Sequence, residues 1–229
     1  MARHGLRLSL YDKESQLSSP EADIEEESSQ AVNVEWYKNK RFAKSQWFMR
    51  SNVSLTYGRA ENNGASHFTK MEFGVFATRS SGSGRLQNLA EVNLKGQHSD
   101  INMPSVEGFA LTGAYGVRGF EAGLFSSDRA LLSSIEIRFP NLLSNSERMR
   151  PELFLMADWA SGARLETSVG DRSQPESQAS FSSVGWGLRV NWSKRLSMQL
   201  TAANPLHGEI EGTQVDEENA IWLFEARWQ

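Results

Sequence analysis

The chain has 229 residues, with 24 basic and 28 acidic side chains and a formal net charge of -4. This balance gives no global field that would favour nucleic acid, and the absence of cysteine excludes a disulfide scaffold and a thiolate metal site. No apolar run approaches the roughly 18 residues of a spanning helix, whereas a barrel strand needs only about 9 to 11 residues with every second one apolar.

The N-terminal part of the chain alternates weakly between apolar and polar residues. Residues 1–7 have no apolar run of about 7 to 15 residues, so they do not resemble a secretory signal. The alternation predicts five strands before residue 100. They are Leu6 to Leu10, Val32 to Trp36, Trp47 to Tyr57, Met71 to Ala77 and Leu86 to Leu94.

A glycine-rich segment, Gly108 to Phe120, follows these strands. Arg118 is a permanent cation among glycines and large apolar residues, so its charge must be paired if the segment is buried. Gly113, Gly116 and Gly119 permit tight backbone conformations. The segment is expected to fold inward; the alternative is an exposed turn with a solvated arginine.

Alternation is clearest after this segment and predicts five more strands. They are Leu131 to Pro140, Leu153 to Trp159, Val184 to Trp192, Leu196 to Ala202, and Trp222 to the C-terminus. The polar faces of these strands carry Glu136, Arg138, Asp158, Arg189 and Asn191. In the last strand Trp222, Phe224 and Trp228 share one face, which suits a membrane interface.

About ten strands are therefore expected, in an all-β antiparallel fold. Alternation alone does not separate a transmembrane barrel from a soluble β-sandwich. Connection lengths favour the barrel, because long and short connections alternate along the chain. The long ones are Asp12 to Gln30, Arg59 to Ser66, the Arg118 loop, Ser161 to Ser180 and Asn204 to Asn219; the short ones are Lys38 to Gln46, Ser80 to Gly84, Asn141 to Arg150 and Ser193 to Arg195.

The sequence shows no arrangement typical of catalysis. The four histidines have no metal-ligand spacing, and neither a Gly-x-Ser-x-Gly motif nor a phosphate-binding glycine loop occurs. We therefore predict no enzymatic activity, no metal and no cofactor. A lipid-active barrel enzyme is the one catalytic alternative, and it is disfavoured because no histidine shares a strand with a candidate serine.

Residues 105–120, followed by 131–140, resemble the signature of two-partner-secretion transporters (TpsB, or haemolysin secretion/activation proteins). Val117, Arg118, Gly119 and Phe120 match the Val-Arg-Gly-Phe tip of that family's loop between barrel strands eleven and twelve. The resemblance implies a transmembrane β-barrel of sixteen strands in the bacterial outer membrane, with the loop folded into its lumen. Five strands follow the family's loop, as five are predicted here.

The resemblance also assigns roles to residues. The family's loop arginine pairs with an inward-pointing aspartate on the second strand after the loop, and Asp158 occupies the matching position. Glu136, Arg138, Arg189 and Asn191 would line the lumen. Trp222, Phe224 and Trp228 would form the C-terminal barrel signal.

The function implied by the resemblance is export of a β-rich partner exoprotein across the outer membrane. Residues 1–229 would then be the C-terminal part of the barrel domain, with the signal peptide, the periplasmic POTRA domains and an N-terminal half of the barrel outside this sequence. The other expected partner is outer-membrane lipid, and no nucleic acid is expected. The alternatives are a related barrel-assembly insertase and a passive porin or adhesin barrel.

Overall fold

The computed structural model describes residues 2–19, 22–61, 65–143, 149–169, 172–192, 196–215 and 219–228. Within these ranges the chain forms strands, two 3-10 turns and connecting segments. The strands are β1 (Ala2–Ser19), β2 (Ala22–Phe42), β3 (Trp47–Glu61), β4 (Ala65–Ser81), β5 (Asn88–Ser99), β6 (Phe109–Ala110), β7 (Ser126–Ser127), β8 (Arg129–Phe139), β9 (Met149–Arg164), β10 (Thr167–Val169), β11 (Arg172–Gln174), β12 (Ser177–Trp192), β13 (Leu196–Ile210), β14 (Thr213–Gln214) and β15 (Ile221–Trp228). The 3-10 turns are Gly84–Leu86 and Ser105–Glu107.

One antiparallel sheet contains all the long strands. It has eleven strands, or ten when the two-residue β14 is set aside, and neighbours in the sheet follow chain order. Each of the ten predicted strands overlaps an observed one, with five before the Arg118 loop and five after it, so the predicted all-β antiparallel fold is confirmed. Among the described residues β1 pairs with β2 alone and β15 with β13 alone, which leaves the sheet open at both edges.

The two faces of this sheet differ in polarity because side chains alternate along each strand and stay in register across strands. Ser134 lies opposite Asp158 on the inner face, and Ile135 lies opposite Ala157 on the outer face. Large apolar side chains are exposed on the outer face, including Leu8, Leu55, Ile135, Leu155 and Trp186. A single sheet with an exposed apolar face is what lipid requires, and it rules out the β-sandwich alternative.

Several strands extend further than alternation indicated. The expected long connections Asp12 to Gln30 and Arg59 to Ser66 consist mostly of strand, because β1 pairs with β2 as far as Ser19–Ala22 and β3 pairs with β4 as far as Glu61–Ala65. The predicted regular alternation of connection lengths is therefore wrong for the first half of the chain. The predicted turn Ser193 to Arg195 lies outside the described residues.

The main hydrophobic core lies between the inner face and the segment that joins β5 to β8. We call this segment, residues 100–128, the inner loop. Its apolar residues pack against the inner faces of β8, β9 and β12. The cluster consists of Leu111, Val117, Phe120, Phe125, Leu132, Ala160, Ala179 and Phe181. In the part of the chain that the structure describes, no helix has the length and hydropathy to cross a membrane.

If the outer face of the sheet contacts lipid, a charged side chain introduced there should destabilise the protein. Leu155 is at the middle of β9 and is 50% exposed, so an arginine there would have to sit in hydrocarbon. Leu155→Arg is expected to lower the free energy of unfolding in liposomes by about 2 to 4 kcal/mol, measured by urea titration. The matched control is Asn93→Arg, which places the same charge in the polar inner cavity. Equal losses for the two variants would contradict a lipid-facing outer surface.

Candidate functional site

The tip of the inner loop is a tight turn closed by its own backbone. The N–H of Val117 donates to the carbonyl of Leu111 (2.8 Å), and the N–H of Gly113 donates to the carbonyl of Val117 (3.1 Å). Gly113 has a φ of +102°, a conformation that favours glycine. A Cβ on Gly116 would overlap the carbonyl oxygen of Leu111. These contacts fix the direction in which the next residue, Arg118, leaves the turn.

Arg118 meets Asp158 in a two-pronged ion pair. Its Nε lies 2.8 Å from Oδ2 of Asp158, and its Nη2 lies 2.9 Å from Oδ1. The backbone N–H of Arg118 also donates to Oδ2, at 3.2 Å. The Asp158 side chain is fully buried and that of Arg118 is 11% exposed. Charge-assisted bonds of this kind fix both position and orientation.

Two further side chains on β8 complete the surroundings of the guanidinium. Nη1 of Arg118 lies 3.3 Å from Glu136, and Nη2 donates to the hydroxyl of Ser134 at 3.2 Å. Ser134 in turn donates to Asp158 at 2.7 Å. Burial alone would lower the pKa of Arg118, but the bonds and charges of Asp158 and Glu136 outweigh it and raise that pKa above its ordinary value. Arg118 therefore stays charged.

The expected lumen-wall residues form a charged network around Glu136. Arg138 lies 2.5 Å from Glu136 and 2.7 Å from Glu91, and Arg189 lies 3.6 Å from Glu136. Together with Arg118 and Asp158 this gives three guanidinium groups and three carboxylates on one face. Asn191 lies on the same face but is bonded to Glu152, at 3.4 Å, and does not contact Glu136.

The other two motif residues, Gly119 and Phe120, join the loop to β12 and β13, the strands that follow β9 in the sheet. The N–H of Gly119 donates to Ser183 Oγ at 3.3 Å, and a Cβ there would lie 2.6 Å from Ser183 Cβ and 3.0 Å from the Pro205 nitrogen. Phe120 packs edge to face on Phe181, with ring centroids 5.0 Å apart. The absence of a side chain at Gly119 is what allows the backbone to approach β12 and β13 so closely.

The expected barrel-signal residues lie on the outer face of β15. Trp222, Phe224 and Trp228 are all more than half exposed. Trp222 packs edge to face with Trp186 of β12, at a centroid distance of 6.0 Å. Their role as an assembly signal stays a prediction.

The structure also brings together side chains that the sequence did not connect. Ser180 on β12 lies 3.2 Å from Nε2 of His207 on the neighbouring strand β13. Glu209 approaches the same nitrogen, at 3.7 Å. A catalytic relay needs the serine and the carboxylate on different ring nitrogens, so this geometry does not form one. Among the described residues no three His, Asp or Glu side chains are close enough to hold a metal ion.

A buried acid of the inner loop, Glu107, was not identified from the sequence. Its side chain is fully buried and contacts Lys70 of β4 and Ser29 of β2. Burial would raise the pKa of Glu107, but the hydrogen bonds from Lys70 and Ser29 and the nearby lysine charges lower it below its ordinary value. Since the folded pKa is depressed, this group stabilises the fold above its unfolded pKa of about 4.3, and the contribution is lost as pH falls through the folded value.

Comparison with known proteins gives one family. The model described as "Haemolysin secretion/activation protein ShlB/FhaC/HecB" matches residues 2–203. No curated protein and no solved structure matches the chain.

The Arg118–Asp158 pair predicts strong energetic coupling. Arg118→Met and Asp158→Asn each leave one buried charge without its main partner, so each is expected to lower the free energy of unfolding by about 3 to 5 kcal/mol. The double variant is expected to lose less than the sum of the two, as measured by urea titration in liposomes. Arg227→Met is the control, because that side chain is 63% exposed; additive losses at 118 and 158 would refute the coupling.

Gly119→Ala tests the close approach of the loop to the wall. The added methyl group would overlap Ser183 and crowd the Pro205 backbone, so the loop must shift. We expect a loss of about 1 to 3 kcal/mol in the free energy of unfolding. Adding Ser183→Gly removes the nearest atom and should restore part of the loss. A Gly119→Ala protein as stable as wild type would show that the loop does not rest on β12.

Proposed function

The chain belongs to the haemolysin secretion/activation family ShlB/FhaC/HecB, and we propose that it is the part of such a transporter through which an exoprotein passes. Members of this family act at the outer membrane in the secretion and activation of partner proteins. The chain is a transporter component, and its partner is a secreted protein. The substrate would be an unfolded, β-rich polypeptide that crosses the membrane without nucleotide and folds outside.

The observation that carries this proposal is the buried pair between Arg118 and Asp158. It holds a long loop against the polar inner face of a sheet whose outer face is apolar. A loop in this position obstructs the space that an exported chain would use, so it can regulate passage. The charged network around Glu136 would give that space a polar wall with balanced charge and no large apolar surface to retain an unfolded segment.

The open edges of the sheet bear on how the whole transporter is built. β1 and β15 each present a row of backbone groups that must be paired in lipid. We propose that additional strands complete the barrel between β1 and β15, and that periplasmic domains of the whole protein bind the exoprotein first. The chain described here would then supply the C-terminal part of the barrel.

The test is export by living cells that carry wild-type protein, Asp158→Asn, or no protein. Mass spectrometry of the culture medium should show a small set of large proteins that is present with wild type, reduced at least tenfold with Asp158→Asn, and absent without the protein. Immunoblots of the outer membrane control for the amount of each variant. The same set of secreted proteins in the medium of all three cultures would overturn the proposal. Loss of other barrel proteins from the outer membrane in cells without the protein would indicate an insertase. A constant channel conductance without any export would indicate a porin.

A further inference from the structure

Glu107 occupies a site built to hold a carboxylate. Its oxygens lie 2.7 Å from Lys70 Nζ, 2.6 Å from Ser29 Oγ, 3.1 Å from Lys13 Nζ and 3.2 Å from the Tyr11 hydroxyl. Its backbone carbonyl also accepts bonds from Lys70 Nζ (3.3 Å) and from Gln97 Nε2 (3.4 Å). A fully buried carboxylate is stable only with such partners.

The partners of the Glu107 carboxylate come from the first strands of the sheet, whereas those of Arg118 come from its middle. Lys13 and Tyr11 lie on β1, Ser29 on β2 and Lys70 on β4, whereas Arg118 is held by β8 and β9. The part of the inner loop around Glu107, which we call its first limb, and the part around Arg118, its second limb, are therefore fixed to different strands. Between the two residues the chain runs through β6, which pairs with β7 of the same loop and with no strand of the large sheet.

Lys13 and Lys70 also line the inner cavity along β1 to β5, together with Phe109, which lies two residues after Glu107. Arg7, Glu35 and Arg50 line the same cavity from β1, β2 and β3. The position of Glu107 thus decides how far Phe109 and the lysine side chains reach into this space. A second cavity, lined by Tyr115 and Arg118, adjoins the first and shares Phe76, Asn93 and Lys95 with it, but does not include Lys13 or Lys70.

We propose that Glu107 is a second positioning residue of the inner loop: it fixes the first limb of the loop to β1, β2 and β4 and closes the cavity along β1 to β5, independently of Arg118. Its release widens that cavity while the Arg118 limb stays in place. The transport role of this movement rests on the proposed function, but the anchoring itself does not.

Glu107→Gln removes the charge and keeps the shape of the side chain. The matched control is Glu121→Gln, because Glu121 is an exposed glutamate of the same loop. Two pairs of spin labels in the membrane-reconstituted protein report on the two limbs: Ala110 with Asn33 for the first, and Ala114 with Asn191 for the second. We expect Glu107→Gln to move the first pair to longer distances and leave the second unchanged, and single-channel conductance in potassium chloride to rise.

Unchanged distances in the first pair would overturn the proposal, and so would equal shifts in both pairs, which would make the loop one rigid unit. Because Glu107→Gln leaves the buried Lys70 with only the more distant carboxylate of Glu72, at 3.8 Å, Lys70→Met and the double variant are measured as well. The double variant removes both charges, so it should fold at least as well as either single variant and still show the longer first distance. If the label shift occurs but wild-type cells export nothing, the anchor stands and the proposed function fails.

Discussion

The whole structure depends on the burial of one guanidinium group against the inner face of a sheet. Arg118 cannot lose its charge, so the loop that carries it can be buried only where carboxylates pair with the guanidinium group. Asp158 and Glu136 supply these carboxylates from adjacent strands. Ser134 and Asp158 face each other across β8 and β9, which makes this acceptor part of the sheet itself. A slip of one residue between those strands would turn Asp158 to the outer face and leave the loop without its partner.

The inner loop supplies the core that such a sheet otherwise lacks. One face of the sheet is apolar and turned outward, and the other carries polar and charged side chains, so the strands alone enclose little apolar volume. Leu111, Val117 and Phe120 of the loop are almost completely buried against β8, β9 and β12. Glycine at 116 and 119 permits this packing, since a Cβ at either position would overlap backbone or wall atoms. The same residues therefore serve stability and position.

The sequence was sufficient to predict the strands and the Arg118 partner, but not the full site. The number of strands and the face on which each side chain lies follow from alternation, whereas Asp158 was identified through the family resemblance, which pairs the loop arginine with an aspartate on the second strand after the loop. Strand ends were less predictable, because the sequence in the extensions of β1 and β2 is rich in polar residues and resembles a connection. Glu107 could not be identified, since its partners Lys70, Ser29 and Tyr11 are 37, 78 and 96 residues away along the chain. Only the register of four strands brings them together.

The two buried anchors have opposite charge, and this fixes the orientation of the loop. Arg118 enters a wall that offers Asp158 and Glu136, while Glu107 enters a wall that offers Lys70 and Lys13. A loop docked in the reverse direction would place Arg118 beside Lys70 and Lys13, and Glu107 beside Asp158 and Glu136, so that like charges would be buried together. Apolar packing alone would not distinguish these two arrangements so strongly. Charge therefore selects the direction of the loop, and the glycine contacts set its depth.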